Sequence, residues 1–398
     1  MIPDRHKLDS FGKKLYRWLF WLLLEKPVGA LVYVLPVKPN RVIFDNFGGN
    51  GFGDNPKYIA QALHRLAPDL EMIWLEDNLR SLDFPEYIRP VKVDSIRALC
   101  MRSTARVWVD NVRHLHPVKK KKNQLYLQTW HAPFGPKLAE ADAASKLGKD
   151  YVRQAIYDGT ISDGILVDSK LQEEQFLRAF WLGPQTEILR FGLPRNDNLI
   201  RMAVDPNARE KALQKLGLKP GDYHVLYAPT FRDDRSTKGY ALDFARVLQA
   251  FEKTMGQPCK LIIRLHPNVA FQKKTIPFTE KILDGTDYPD MQMLSLACDA
   301  VISDYSSSVY DFAMLHKPVF VCALDLEDYE KTRGLLKDFY TMPFPMARTN
   351  GELIDNIRKY GKEAEAQRVE AYFAQYPFYD RGDAAEQSAQ WILNKIRQ

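Results

Sequence analysis

Cysteine is scarce in this chain, with 4 in 398 residues. Cys100, Cys259, Cys298 and Cys322 are scattered, and three of them sit inside apolar segments. That spacing excludes a zinc-finger ligand set and a disulfide framework, and it fits a reducing, cytoplasmic compartment. A long apolar run is also missing. The most hydrophobic stretch, "FGKKLYRWLFWLLLEKPVGALVYVLP" (11–36), is split by Glu25, Lys26 and Pro27 into Trp18–Leu24 and Val28–Leu35. Neither part reaches the ~20 residues needed to span a bilayer, and no small-residue cleavage site marks a signal peptide. The chain has no low-complexity tract and no evident internal repeat. Its excess positive charge is slight, 56 Lys+Arg against 50 Asp+Glu for a net +6. This is mild for a nucleic-acid binder, so no nucleic acid is expected as a partner, but it suits an anionic membrane or a phosphate-rich substrate. There is no HExxH or Walker sequence, and no pair of carboxylates flanks a single residue ahead of a strand. "GGNGFG" (48–53) lacks dinucleotide-binding spacing and reads as a tight turn. "DLED" (325–328), the nearest approach to an acidic metal motif, reads as a loop. No metal site and no cofactor are therefore expected, although a loosely bound Mg²⁺ at a phosphate group stays open.

What the chain does have is a globular composition, 45% hydrophobic and 27% charged, at a length that one hydrophobic core seldom serves. From Arg41 onward, short apolar runs alternate with amphipathic stretches, the βαβα pattern of parallel sheets. "RVIFDNF", "EMIWLE", "ARVWVDN", "LYLQTWH" and "GILVDS" read as strands of a first half. "HVLYAPTFRDD", "KLIIRLHPN", "DAVISDYSSS" and "KPVFVCAL" read as strands of a second. The polar, helical tract 205–223 reads as the connection between them. The expected organisation is an N-terminal segment (1–38), a first Rossmann-like domain (39–204), a second (205–378) and a C-terminal helix (379–398). In the turn after the first strand, Asp54 or Asn55 is expected to cap a helix with Pro56 in its first turn. Basic residues beside the aromatic-rich N-terminal stretch suggest a segment lying in the interface of the cytoplasmic leaflet. The alternative is a helix packed on the protein's own core. "VKKKKN" (118–123) reads as a solvated loop able to face anionic headgroups.

In each of these strands a polar or charged group follows the carboxyl end, the edge where open parallel sheets bind ligands. His131 in "QTWHAPFG" and His266 in "RLHP" follow strands directly, one in each half. A lone histidine is commonly structural, but this placement is that of a base and a donor contact facing each other across a cleft. Ser306, Ser307 and Ser308 stand where a strand hands over to a helix, with Asp304 just before them. Serines there cap a helix, and the same geometry suits an anion. Arg195, Arg232, Arg264, Lys331 and Arg333 lie in loops beside strand ends, either as solvated charge or as phosphate ligands.

Read together, "FGDNPKYI", "QTWHAPFGPKL", "LRFGLPRNDNL", "LYAPTFRDD", "LIIRLHPN", "SDYSSSVYDFAMLHKPVFV" and "DLEDYEKTRG" occur in the order seen in the CDP-glycerol glycerophosphotransferases, the teichoic acid primases and polymerases. The resemblance runs from about residue 41 to 345. It implies an α/β fold of two Rossmann-like domains facing across a cleft (GT-B type), with the donor nucleotide on the C-terminal domain. It also implies attachment to the cytoplasmic face of the plasma membrane through an N-terminal amphipathic segment. The implied reaction is transfer of a polyol phosphate from CDP-glycerol, or CDP-ribitol, to a hydroxyl of a lipid-linked or polymer acceptor, with release of CMP. In that scheme His131 deprotonates the acceptor. His266, Arg264, Ser306 and Ser307 hold the pyrophosphate, Arg232 and Arg333 add phosphate contacts, and Asp304 and Asp311 orient the loop and helix start.

One departure stands out. Where that family commonly has Gly-Thr after the first histidine, this chain has Ala132-Pro133. That loop should face the acceptor, so the acceptor is expected to differ. Two other readings remain open: a GT-B sugar transferase using a nucleotide-sugar donor for capsule polymer, and a non-catalytic membrane scaffold.

Overall fold

A computed structural model describes residues 26–79, 84–113, 118–232, 240–288 and 291–397. Most of the proposed membrane-associating segment, residues 1–25, lies outside the described residues.

Two parallel sheets organise the chain. The first contains β1 (Lys38–Asp45), β2 (Glu71–Glu76), β3 (Ile88–Lys92), β4 (Ala105–Asp110), β5 (Leu125–Gln128), β6 (Gly164–Leu166) and β7 (Glu187–Leu189), in the order β3-β2-β1-β4-β5-β6-β7. The second contains β8 (Tyr223–Ala228), β9 (Cys259–Ile263), β10 (Ile282–Asp284), β11 (Ala300–Ser303), β12 (Val319–Cys322) and β13 (Met346–Ala347), in the order β10-β9-β8-β11-β12-β13. Each order reverses direction once, between β1 and β4 and between β8 and β11. These switch points open crevices at the carboxyl edges.

The strands are nearly continuous hydrophobic runs because helices cover both faces. Side chains alternate between the two layers with the period of two that a pleated strand imposes. Val42, Phe44, Met72, Trp74, Val107 and Val109 face one layer, while Ile43, Ile73, Leu75 and Trp108 face the other. The second sheet divides in the same way, with Leu226, Ile262 and Val301 on one side and Val225, Leu261 and Ile302 on the other.

The helix Asp54–Leu66 buries Ile59, Ala60 and Leu63 against the first sheet. Its start departs from the sequence expectation: the N-cap is Gly53, with no side-chain capping bond, and Asn55 turns into the protein instead. The tract after residue 204 also does more than connect. Ala208, Ala212 and Leu213 of the helix Ala208–Leu216 pack on Leu296 and Ala297 of the second domain. The last helix, Ala384–Arg397, returns to the first sheet. Asp197 accepts hydrogen bonds from the amides of Ala384 (2.9 Å) and Ala385 (2.8 Å), and Ala389 and Ile392 join the core around Val42. Gly164 is needed there, since a Cβ would come within 2.8 Å of the Trp391 ring. "DLED" lies at the start of a helix, Leu326–Thr332, rather than in a loop.

The loop after β5 joins the two domains. Phe134 is buried among second-domain residues, with its ring 5.5 Å from that of Tyr310. Leu138 N–H donates to the Gly334 carbonyl (3.2 Å), and Leu336 N–H donates to Pro136 (2.7 Å).

Candidate active site

The first-domain half of the site is built at the β1/β4 switch point. Asn46 and Asn111 follow those strands, and Asn111 Nδ2 donates to Asn46 Oδ1 at 2.8 Å. The Asn111 carbonyl lies 2.8 Å from His131 Nδ1. A carbonyl oxygen only accepts, so Nδ1 carries the proton and the lone pair is on Nε2. His131 is half-buried between Trp130 and Phe47, with ring centroids 4.5 and 5.2 Å away. Burial lowers its pKa; the bond to Asn111 and the charge of Asp54 oppose that shift, while Arg195 adds to it. The ring is therefore neutral at pH 7 and able to take a proton through Nε2.

The second-domain half surrounds Phe231. The His266 ring lies 4.5 Å from that of Phe231, and the Arg333 guanidinium is 5.4 Å from the same ring. Arg264, two residues before His266, continues the β9 ladder through its amide to the Tyr227 carbonyl (2.9 Å). Burial, reinforced by the cations Lys137 and Arg264, brings the His266 pKa down to about 4. His266 is thus neutral at physiological pH, and what its ring offers is an N–H donor rather than a charge.

The serines are arranged differently from the expected cap. Ser307 occupies the N-cap of the helix Ser308–Met314 but makes no side-chain capping bond. Ser306 Oγ takes the amide of Ser308 at 3.3 Å and its hydroxyl at 3.0 Å. The loop carrying His131 comes close to this point: a Cβ on Gly135 would lie 3.9 Å from that of Ser307.

Arg232, expected as a phosphate ligand, is committed to carboxylates, and Asp304, grouped with the donor-site residues, is one of them. Arg232 is only 6% exposed. Its guanidinium bonds Asp325 through Nε (2.5 Å) and Nη2 (2.8 Å), Asp304 through Nη2 (2.9 Å) and the Thr230 carbonyl through Nη1 (2.5 Å). It also lies 5.0 and 4.9 Å from the rings of Tyr305 and Tyr329. With its donors engaged by two carboxylates, it holds the loops and offers little to phosphate. Asp304 accepts Arg232 and the amides of Thr230 (2.8 Å) and Tyr305 (2.7 Å), so it orients the β11 loop. A bare carboxylate would repel an anion, and Asp304 is 2% exposed.

Asn111 and Asp168 were not singled out by sequence reasoning, and Asn55, Arg195 and Asp311, which were, take places that the sequence did not show. Asn55 and Asn111 tie loops together. The Arg195 guanidinium stands between the domains, 3.5 Å from Asp54 and 3.8 Å from Asp311. Burial pushes Asp311 up to about 6, against the pull of Arg195 and with a smaller push from Asp54. Buried Asp168 accepts the Phe134 amide (3.2 Å) and the Ser169 hydroxyl (2.6 Å), fixing the loop after His131. Among the described residues no group of three or more His, Cys, Asp or Glu is placed to hold a metal ion.

This arrangement of a neutral histidine on one domain and an edge carrying His266, Arg264, Arg333 and serines on the other coincides with a family match. Residues 28–395 match the family described as CDP-Glycerol:Poly(glycerophosphate) glycerophosphotransferase. The chain belongs to that family. It is 28% identical over 412 residues to a teichoic acid poly(glycerol phosphate) polymerase of Staphylococcus epidermidis, covering 98% of this chain and 56% of that protein. A polymerase of the same name from Bacillus spizizenii is 27% identical over 380 residues, covering 92% of this chain and 95% of its own length. The chain thus spans little more than half of the first relative and nearly all of the second. The solved wall teichoic acid polymerase TagF superposes with a TM-score of 0.81 at 26% identity, over 97% of this chain and 98% of that one. As a glycerophosphotransferase-family chain, the protein carries the family's two parallel-sheet domains with the candidate site between them.

Proposed function

We propose that this chain transfers glycerol phosphate from CDP-glycerol to a hydroxyl of a lipid-linked or polymer acceptor, releasing CMP, in the synthesis of a teichoic acid or related cell-surface polymer. The observation that carries this reading is the fixed tautomer of His131, whose Nε2 is left as an acceptor beside a loop that reaches the donor domain at Ser307. The acceptor hydroxyl gives its proton to Nε2 as its oxygen attacks the glycerol-bearing phosphorus. The bond from that phosphorus to the bridging oxygen breaks, and CMP leaves with the electron pair. Arg264, Arg333 and the serine hydroxyls at 306 and 307 stabilise the charge gathering on the leaving phosphate, and neutral His266 donates an N–H. Arg232 and Asp304 hold the loops that present these groups. The Ala132-Pro133 departure directly follows His131, and on this reading it goes with an acceptor different from the family's common one.

The test is CMP release from CDP-glycerol by purified protein with a membrane-extracted lipid acceptor. Turnover of CDP-ribitol or of a nucleotide sugar in place of CDP-glycerol would overturn the donor. Silence with every donor would favour the scaffold. A pH dependence follows from the burial of His131. Because its pKa is lowered, the neutral base persists below pH 6.5, and kcat is expected to fall only as pH drops through that lowered value. An acid limb at or above 6.5 in the kcat profile would assign the base elsewhere.

Association with an anionic membrane surface is part of the same reading. At the end of the helix Lys26–Val32 and just beyond it, an apolar patch stands out in solvent, with Leu31 71% and Val34 78% exposed. Lys119 and Lys122 are exposed nearby in sequence to Lys121, which donates to the Leu35 carbonyl (2.5 Å) and lies over the Tyr33 ring. Lys120 is tied to Asp163, so two of the four lysines face the protein rather than solvent. No helix among the described residues is long and apolar enough to cross a membrane. Sedimentation with phosphatidylglycerol vesicles should show binding that weakens with salt and falls several-fold in Leu31→Glu/Val34→Glu. Equal binding by wild type and variant would remove this patch from the contact.

A further inference from the structure

We propose that Asn55 is a positioning residue that aims His131 at the acceptor hydroxyl through the strained turn at Trp130 and links that aim to the arginine standing between the domains. The proposal rests on the reading of His131 as general base.

Asn55 is completely buried. Its Nδ2 donates to the carbonyls of Thr129 (3.3 Å) and Trp130 (3.0 Å), the two residues before His131. Its Oδ1 accepts the backbone amide of Arg195 at 3.1 Å. Three loops that follow β1, β5 and β7 are therefore tied by one side chain. A hydrophobic residue could not replace it, because two carbonyls and one amide would be left buried without these partners.

Trp130 explains why such a tie is needed. Its φ is +50°, in the left-handed region that bulky residues avoid. A strained conformation persists only where its surroundings over-determine it, and here they do. The Trp130 amide donates to Gln128 Oε1 (2.9 Å), and its carbonyl takes both Asn55 Nδ2 and Thr129 Oγ1 (2.9 Å). The turn sets the direction in which His131 leaves the sheet, and the Asn111 carbonyl then holds the ring from Nδ1. If the Asn55 bonds are lost, Trp130 can relax toward an ordinary conformation and carry His131 with it.

The third bond gives the tie its reach. Arg195, anchored by Asn55 through its backbone, places its guanidinium 3.5 Å from Asp54 in the first domain and 3.8 Å from Asp311 in the second. Asp311 lies on the helix that begins at Ser308, beside the donor serines. The loop that aims the base and the helix that follows the donor edge are thereby joined through Asn55 and Arg195.

The experiment compares wild type, His131→Ala, Asn55→Ala and Asn55→Asp by steady-state CMP release from CDP-glycerol, with folding followed by circular dichroism. Asn55→Ala should lower kcat by about 10²-fold, the order expected of a misplacement near 1 Å, with KM for CDP-glycerol within about twofold. Asn55→Asp keeps the size and the acceptor for Arg195, so it is the variant that decides if Asn55→Ala does not fold. It loses the two donated bonds and should also lower kcat. It further adds a carboxylate to the field of His131, now set by Asp54, Arg195 and Glu140, and should move the acid limb of the kcat profile to higher pH. A purely structural role would leave kcat near that of wild type in the variants that fold. Folded Asn55 variants with wild-type kcat, or with a change confined to the donor KM, would overturn the proposal while leaving the base reading intact. Full activity in His131→Ala would overturn the base reading, and this proposal with it.

Discussion

His131→Ala is expected to lower kcat for CMP release by about 10²–10⁴-fold, the span that a positioned general base contributes. Nε2 is the atom concerned, because the Asn111 carbonyl holds Nδ1 in its protonated form. KM for CDP-glycerol should change little, since the groups assigned to the donor phosphates lie on the second domain, and a loss confined to the transition state lowers kcat and kcat/KM together. His131→Gln is the sharper companion. It keeps a polar side chain between Phe47 and Trp130 but cannot take up a proton at neutral pH, so it should be as impaired as alanine. Retention of more than half the wild-type rate in either variant would exclude His131 as the base. The expectation for His266→Ala differs in kind. Burial and the nearby Lys137 and Arg264 keep that ring neutral, so its loss removes one hydrogen bond from the donor edge. It should raise the donor KM and lower kcat, and it should leave the acid limb of the kcat profile where it was.

Arg232→Leu should be the most destabilising single change among the residues discussed. It would leave Asp304 and Asp325, 2% and 8% exposed, facing each other without the guanidinium that now bonds both. Removing one partner of a buried ion pair typically costs about 3–5 kcal/mol. For a domain of this size that corresponds to roughly 6–20 °C in melting temperature. Arg232→Lys should recover only part of the loss, because an ammonium cannot reproduce bonds from Nε and Nη2 to two carboxylates while remaining flat against Tyr305 and Tyr329. Differential scanning calorimetry reads the effect directly. An unchanged melting transition together with weakened CDP binding would return Arg232 to the role of phosphate ligand. Arg333→Ala provides the contrast. Its guanidinium rests against Phe231 beside His266, so CDP binding should weaken by about tenfold with little change in melting, as loss of a charge-assisted bond predicts.

These two arginines show how far sequence reasoning reaches. Arg232 follows the strand β8 and Arg333 ends the helix Leu326–Thr332, yet the sequence pointed to the same phosphate-contact role for both. The difference comes from Asp304 and Asp325, 72 and 93 residues further along the chain, which meet Arg232 only after β8 and β11 pair. Asp54 or Asn55 was read as a helix cap because either residue before a helix commonly is one, but Asn55 turns inward. The partners of its side chain, the carbonyls of Thr129 and Trp130 and the amide of Arg195, lie 74, 75 and 140 residues away. The serines were placed correctly at the strand-to-helix edge, but the side chain of Ser307 is free of the capping bond expected there.

What the sequence by itself determined is whatever depends on neighbours along the chain. Unbroken apolar strands such as "VIF" and "AVIS" require sheets covered on both faces, and the polar residues that end them mark one edge of each sheet. The order of motifs established the family, and His131 and His266 were found because each follows its strand directly. The tertiary structure alone decided the tautomer of His131, the neutrality of His266, the structural commitment of Arg232 and the hub at Asn55. Each of these rests on a hydrogen bond or a burial that forms between segments far apart in sequence. In a low-dielectric interior, such contacts set which polar groups are free to act and which are already satisfied.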